Sequence, residues 1–210
     1  MTGARRADLD LAPLTEALAP FGVKVAARRI RVGDEVSYPD PEGAMIPLDI
    51  GRRRASGAAR SAARGLLSEL RGDAVAPLPR SPSGAPVWPA GFVGSLAHDA
   101  SFAIAAVARR GTLSGLGIDI EPREPLTADL VDFVLNPAER EATSSDPFAQ
   151  RLIFAAKEAV YKAIHPIDGS PLEYGDIEIG LGAGGATLND GRRLRLFTLR
   201  APRLIAVALI

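Results

Sequence analysis

Two long stretches of helical character, about Arg52 to Leu70 and Pro147 to Ile164, each accompany runs that read as strands, and this sets the fold class. The first stretch is rich in alanine, with Gly72 placed as a stop signal. The second opens on Pro147, carries a core face through Phe154, Val160 and Ile164, and is expected to end at Pro166. Leu11 to Ala19 reads as a shorter helix. Asn136-Pro137-Ala138-Glu139 combines an N-cap, a proline at the first helical position and a glutamate at N3, which predicts another helix start. Strands are expected at Val23 to Val32, Phe92 to Ala97, Phe102 to Ala108, Leu116 to Glu121, Asp176 to Gly180, Leu194 to Leu199 and Leu204 to Ile210. Helix-then-strands in each half is an α+β pattern. Tyr38 to Gly43 reads as a turn-rich link, Pro77 to Gly91 as an irregular proline-rich loop, and Gly182 to Gly185 as flexible. The polar, glycine-containing segment Arg109 to Ser114 is the expected link between two units, residues 1–112 and 113–210.

Charge narrows the function classes. Twenty-five acidic residues balance twenty-five basic ones, so no global field recruits nucleic acid or an anionic membrane, and any anion binding must be local. The chain has no cysteine, which excludes disulfides, thiolate metal sites and cysteine nucleophiles, and its two histidines, His98 and His165, leave little for a histidine-rich metal centre. No apolar run approaches the roughly 20 residues of a membrane span. Arg5-Arg6 is followed by Asp8 and Asp10 rather than an apolar segment, so a signal peptide is not expected and a cytoplasmic location is.

Of the basic residues only three are lysines, and two of these fall in Phe154-Ala155-Ala156-Lys157-Glu158-Ala159-Val160-Tyr161-Lys162. A chain that writes arginine almost everywhere keeps lysine where a compact point charge or a transferable proton is useful. Glu158 and Lys162 share one helix face, and Lys157 and Tyr161 the adjacent one. Upstream, in Gly117-Ile118-Asp119-Ile120-Glu121, the two acids lie on the same side of a strand, with Cα atoms about 6.6 Å apart. A short and a longer carboxylate at that spacing can converge on a hard cation such as Mg²⁺, which favours oxygen ligands and often shares them with substrate phosphates. Taken separately, the acids also fit an exposed strand face and the Glu–Lys pair a surface stabiliser. Arg52, Arg53, Arg60 and Arg64 form either a solvated basic helix or a fork-shaped clamp for phosphate. His98, at the end of an apolar strand, fits a structural role or a contact to a phosphate or ribose.

Taken together these segments resemble the 4′-phosphopantetheinyl transferase superfamily. The Gly117–Glu121 strand and the Phe154–Lys162 helix are similar to its paired signature. Gly84-Ala85-Pro86-Val87-Trp88-Pro89 with Gly94-Ser95-Leu96-Ala97-His98 resembles a further element, and Arg60 with Ala63-Arg64 another. The set resembles the monomeric, two-domain kind in the enterobactin-synthetase-activator branch. The resemblance implies a pseudo-dimer of two similar α+β halves with the active site in the cleft between them. It implies transfer of 4′-phosphopantetheine from coenzyme A to a serine of an apo acyl or peptidyl carrier protein, with release of 3′,5′-ADP. In that scheme Asp119, Glu121 and Glu158 hold Mg²⁺ or Mn²⁺, and Glu158 is also base, directly or through a water, for the serine hydroxyl. Lys162 stabilises or protonates the leaving group, Lys157 binds phosphate, and Arg52, Arg60, Arg80 and His98 hold the 3′-phosphate and adenosine end of coenzyme A. Glu139 matches a family glutamate with a supporting role. Two positions depart from the family pattern: Ala97 stands where Ser or Thr is usual, and Ala155 where a small polar residue is common. Outside this scheme, the same segments fit a catalytically silent coenzyme A or nucleotide-binding module. They also fit a generic α+β interaction domain, which would scatter these groups in space.

Overall fold

The computed structural model describes residues 9–37, 49–81, 84–111, 113–169 and 171–210. After helix α1 (Ala12–Leu18) and strand β1 (Lys24–Arg29) comes helix α2 (Ile50–Arg71), followed by β2 (Phe92–His98) and β3 (Phe102–Arg109). Beyond them lie β4 (Leu116–Pro122), the short helices α3 (Ala128–Val134) and α4 (Pro137–Ala142), and the long α5 (Pro147–Asp168). Four strands close the chain: β5 (Ile177–Gly180), β6 (Gly185–Leu188), β7 (Arg193–Leu199) and β8 (Arg203–Leu209). Two antiparallel sheets result, one ordered β1-β3-β2 and the other β4-β8-β7-β6-β5. Each carries one 22-residue helix, so the fold is α+β with two similar halves.

The order of layers follows from which side chains alternate on the central strands. On β3, Ile104, Ala106 and Ala108 join Ile118, Ile120, Ile205, Val207 and Leu209 in one core between the sheets. The opposite faces, Ala105 and Val107 on β3 and Ala206 and Ala208 on β8, pack in the cores under α2 and α5. The stack is therefore helix, sheet, sheet, helix. Strands buried on both faces read as continuous apolar runs, which is how β3 and β8 appear in sequence.

The faces toward the helices carry small residues, so helix and strand approach closely. The extreme case is β4 against α5. A Cβ built on Gly117 would lie 1.8 Å from the Ala159 carbonyl oxygen, and one on Gly115 2.3 Å from that of Ala163. Strand number rises as helix number falls, so the two run in opposite directions, and Asp119 and Glu121 continue the glycine face toward the N-terminal half of α5.

Several expectations need correction. The first strand is shorter than Val23 to Val32. Helix α5 does not stop at Pro166 but continues to Asp168, where the Gly169 N–H bonds the His165 carbonyl at 2.9 Å with Gly169 at φ 69°. Proline costs one backbone bond in the last turn, and the left-handed glycine cap closes the helix beyond it. Gly185, read as flexible, opens β6. The link at Tyr38 to Gly43 lies outside the described residues, except that the 3-10 turn Asp34–Ser37 precedes it. No helix among the described residues is long and apolar enough to cross a membrane.

Candidate active site

The site is built where β4 crosses α5. Asp119 is 7% exposed, and its Oδ1 accepts a hydrogen bond from Lys162 Nζ at 2.6 Å, while the same ammonium donates to the Ile118 carbonyl at 3.3 Å. Asp119 Oδ2 is buried and has no hydrogen-bond partner. Burial pushes the Asp119 carboxyl above its ordinary pKa, the Lys162 ammonium opposes this, and the Glu158 charge adds to it. Glu121 is also raised, first by burial and then by Asp119, against the pull of Arg151. Arg151 Nη1 donates to Glu121 Oε2 at 2.6 Å, and its other nitrogens donate to the carbonyls of Glu124 and Pro125, which fastens the chain leaving β4 to α5. Glu158 Oε1 accepts from the Tyr174 hydroxyl at 2.6 Å.

Three acids are thus drawn into one neighbourhood, where the Glu158 charge raises Asp119 and the Asp119 charge raises Glu121, yet each is engaged by its own donor. Among the described residues no group of three or more His, Asp or Glu side chains is gathered as a metal-holding cluster. The buried, unpartnered Asp119 Oδ2 and the all-oxygen donor set nonetheless suit a hard cation, whose charge would offset the burial and the repulsion that lift both β4 acids.

Two hollows border this crossing, and a third lies in the first half. A cleft of about 830 Å³ between the halves is lined by Trp88, Gly94 and Leu113 on one side and by Tyr161, Lys162 and Ile167 on the other. Trp88 lies against β2 so closely that a Cβ on Gly94 would sit 2.6 Å from its ring. A smaller hollow of about 430 Å³ is lined by Phe133, Glu158, Tyr161, Leu172 and Tyr174. Tyr161 borders both, so Lys162 opens toward one and Glu158 toward the other. The third, about 600 Å³, holds Arg52, Arg54 and His98. Burial lowers the His98 pKa, and the positive charges of Lys162 and Arg52 lower it further; Arg52 and His98 line this hollow, whereas Lys162 lines the cleft. The turn after His98 is tied to the second half, since Arg203 of β8 donates to Asp99 Oδ2.

Comparison with known proteins identifies this arrangement. The family model described as the 4′-phosphopantetheinyl transferase N-terminal domain matches residues 49–108, and that of the 4′-phosphopantetheinyl transferase superfamily matches residues 115–204. The 4′-phosphopantetheinyl transferase Npt of Nocardia iowensis is 36% identical over 169 residues, covering 79% of this chain and 76% of that protein. The chain belongs to the 4′-phosphopantetheinyl transferase superfamily. It is by that membership a transferase of the phosphopantetheine group. The 4′-phosphopantetheinyl transferase Svp of Streptomyces mobaraensis is 40% identical over 134 residues, 61% of this chain and 54% of its own length. Enterobactin synthase component D of Salmonella typhi is 36% identical over 84 residues, 37% of this chain and 34% of that protein.

Within the transferase, the residues singled out from sequence separate into groups. Asp119, Glu121, Glu158 and Lys162 meet at the β4–α5 crossing, and Arg52 and His98 share a hollow at the start of α2. Arg60 sits apart from that hollow, 4% exposed, with Nη1 donating to Ser56 on its own helix. Arg80 lies on the proline-rich loop, where Nε donates to the Gly84 carbonyl at 3.3 Å and the residue bridges to Pro86. Lys157 requires a correction. It is 0% exposed and points into the second core, where Nζ pairs with Glu139 Oε2 at 2.8 Å and donates to the carbonyls of Val134 and Tyr174. An ammonium with all three protons committed in the interior is not open to a phosphate. Ala97 and Ala155 are buried as well, so neither family departure changes a group facing the hollows. Sequence reasoning missed Arg151 and Tyr174, the two donors that hold Glu121 and Glu158.

Proposed function

We propose that the chain transfers 4′-phosphopantetheine from coenzyme A to a serine hydroxyl of an apo acyl or peptidyl carrier protein, releasing 3′,5′-ADP. The observation that carries this reading is the division of one helix turn between two hollows. Lys162 faces the inter-half cleft, where a donor molecule has room, and Glu158 faces the smaller hollow, where an acceptor hydroxyl can approach. The apolar walls of the cleft suit the pantetheine arm, and the basic hollow with Arg52 and His98 suits the phosphorylated nucleoside end.

In the reaction, Glu158 accepts the proton of the serine hydroxyl as the oxygen attacks the β-phosphorus of the donor, the phosphorus that bears the pantetheine. Lys162 places its ammonium beside the departing 3′,5′-ADP, where negative charge develops, and can supply a proton to it. Attack on a pyrophosphate depends mainly on positioning and charge neutralisation, so preorganised ammonium, guanidinium and carboxylate groups suffice for the protein's share. Asp119, Glu121 and Glu158 would hold Mg²⁺, or Mn²⁺ in its place, which when bound neutralises charge on the pyrophosphate.

The test is to incubate the protein with coenzyme A, Mg²⁺ and a panel of apo carrier proteins and to weigh the carriers intact. The expected result is a gain of one phosphopantetheine, abolished by EDTA and reduced roughly 100-fold or more in rate by Glu158→Gln. Tight binding of coenzyme A with no mass shift on any carrier would instead identify a silent binding module.

A further inference from the structure

We propose that the buried Lys157–Glu139 pair is a positioning device for Glu158 that acts through Tyr174. Lys157 and Glu158 are neighbours on α5 and point in different directions, one into the core and one into the site, yet a second route connects them. Lys157 Nζ donates to the Tyr174 carbonyl at 3.0 Å and to the Val134 carbonyl at 2.8 Å, and it pairs with Glu139. Glu139 in turn accepts from the N–H of Asn136 through Oε2 and from the N–H of Ile179 through Oε1. One ion pair therefore joins the end of α3, the start of α4, the turn at Tyr174 and strand β5 to the centre of α5. The Tyr174 ring is set edge-on to Phe133 at 5.5 Å and lies 6.0 Å from Phe154, and its hydroxyl donates to Glu158 Oε1 at 2.6 Å. One carboxylate oxygen of Glu158 is thereby fixed and the other left for its work.

Stability alone is a poor reason to keep such a pair, because well-packed apolar residues in place of a buried ion pair are often neutral or stabilising. What the pair supplies is a fixed place for the Tyr174 carbonyl itself, while the rest of the turn is held by the Glu173–Asp176 capping box and by Asn189 donating to Asp176. The phenol remains a donor at neutral pH, since burial and the acids Glu158, Asp119 and Glu121 all push its pKa up. Outer partners of this kind orient a ligating or catalytic carboxylate, and their loss typically costs roughly 10- to 100-fold in activity or metal affinity.

The inference rests on the reading of Glu158 given above, and its test separates the two. Tyr174→Phe removes one oxygen and keeps the ring contacts. The expected result is an unchanged melting temperature, a KM for coenzyme A within about twofold of the parent, and kcat lower by roughly tenfold or more. Lys157→Met should show the same split, and the double variant should be no slower than Lys157→Met alone, because the two act in series. A Tyr174→Phe protein with parental kcat overturns the proposal. If Lys157→Met does not fold, Glu139→Gln, which keeps shape and removes the charge, takes its place beside Tyr174→Phe. A crystal structure of the folded core variant gives a readout independent of activity: a Tyr174 hydroxyl still within hydrogen-bond distance of Glu158 overturns the device. A parent protein that modifies no carrier would instead sink the reading of the site, while that structure would still decide the positioning.

Discussion

Helices α2 and α5 are built to one plan and used for different ends. Each has 22 residues, an aspartate N-cap whose side chain accepts backbone N–H groups (Asp49, Asp146), and a left-handed glycine beyond its last residue (Gly72, Gly169). Each lies on the outer face of an antiparallel sheet. Under α2 the facing strand offers Ala103, Ala105 and Val107, which only pack. Under α5 the facing strand offers Gly115 and Gly117 and then Asp119 and Glu121. Two glycines bring strand and helix together, and the same alternation then delivers two acids to the helix face that carries Glu158 and Lys162. Among the described residues, the first half brings Arg52, Arg54 and His98 to the hollow at the start of α2 and Arg110 to the cleft. In the second half, close packing and charge share one strand face.

The comparison breaks first at Gly117. Gly117→Ala must drive a methyl into the Ala159 carbonyl, so β4 and α5 have to separate. The expected loss is about 3 kcal/mol or more, read from urea midpoints, and activity falls with it because Asp119 loses Lys162. A variant with parental stability would show that the crossing is looser than its geometry. Next in size is a contrast in kinetics between the halves. Lys162→Met should lower kcat roughly 100-fold, whereas Arg52→Ala, at an exposed guanidinium paired with Asp49, should raise the KM for coenzyme A about tenfold with little change in kcat. Equal effects on kcat from both would erase the division of labour.

The plan of the halves was legible in sequence because its signals are local. Gly72 stops α2, Asn136 with Glu139 forms a true capping box, and β3 and β8 are apolar without interruption. Helix α3 was not read from the sequence, being only seven residues long with Val134 its one buried side chain. Asp119, Glu121, Glu158 and Lys162 were singled out by residue type and spacing, but the donors to the two glutamates were not: Arg151 meets Glu121 from 30 positions away and Tyr174 meets Glu158 from 16. No local pattern encodes such meetings. Lys157 is different, because the signal was present. Ile153, Lys157, Val160 and Ile164 form one helical stripe, and the three apolar members are buried. A lysine inside that stripe must find a buried acid, and Glu139 at N3 of the preceding helix is the one it finds.

Titration separates the halves with opposite signs. The His98 pKa is lowered in the folded state from its ordinary 6.5, so the folded protein binds fewer protons there than the unfolded chain. Its contribution to stability is present above that ordinary value and is lost as pH falls through the lower folded value. Asp119 is raised, so its ionised form is a cost at neutral pH that diminishes on acidification. Urea midpoints measured between about pH 7.5 and 5.5 should fall for the parent and fall less for His98→Gln. An identical slope in both proteins would mean that His98 is not desolvated by its neighbours.

The smallest effect is expected where the two helices look most alike. Gly65 is exposed on α2, with nothing within 4 Å of a built Cβ, so Gly65→Ala meets no neighbour where Gly117→Ala meets a backbone oxygen. Alanine also restricts the unfolded chain and favours the helix, and the expected gain is roughly 0.5–1 kcal/mol with activity unchanged. The same substitution, glycine to alanine, should thus stabilise one half and disrupt the other. If Gly65→Ala were instead destabilising, or raised the KM for coenzyme A, the outer face of α2 would have to be in contact with something other than water. The first half would then be more than a platform for the groups at its end.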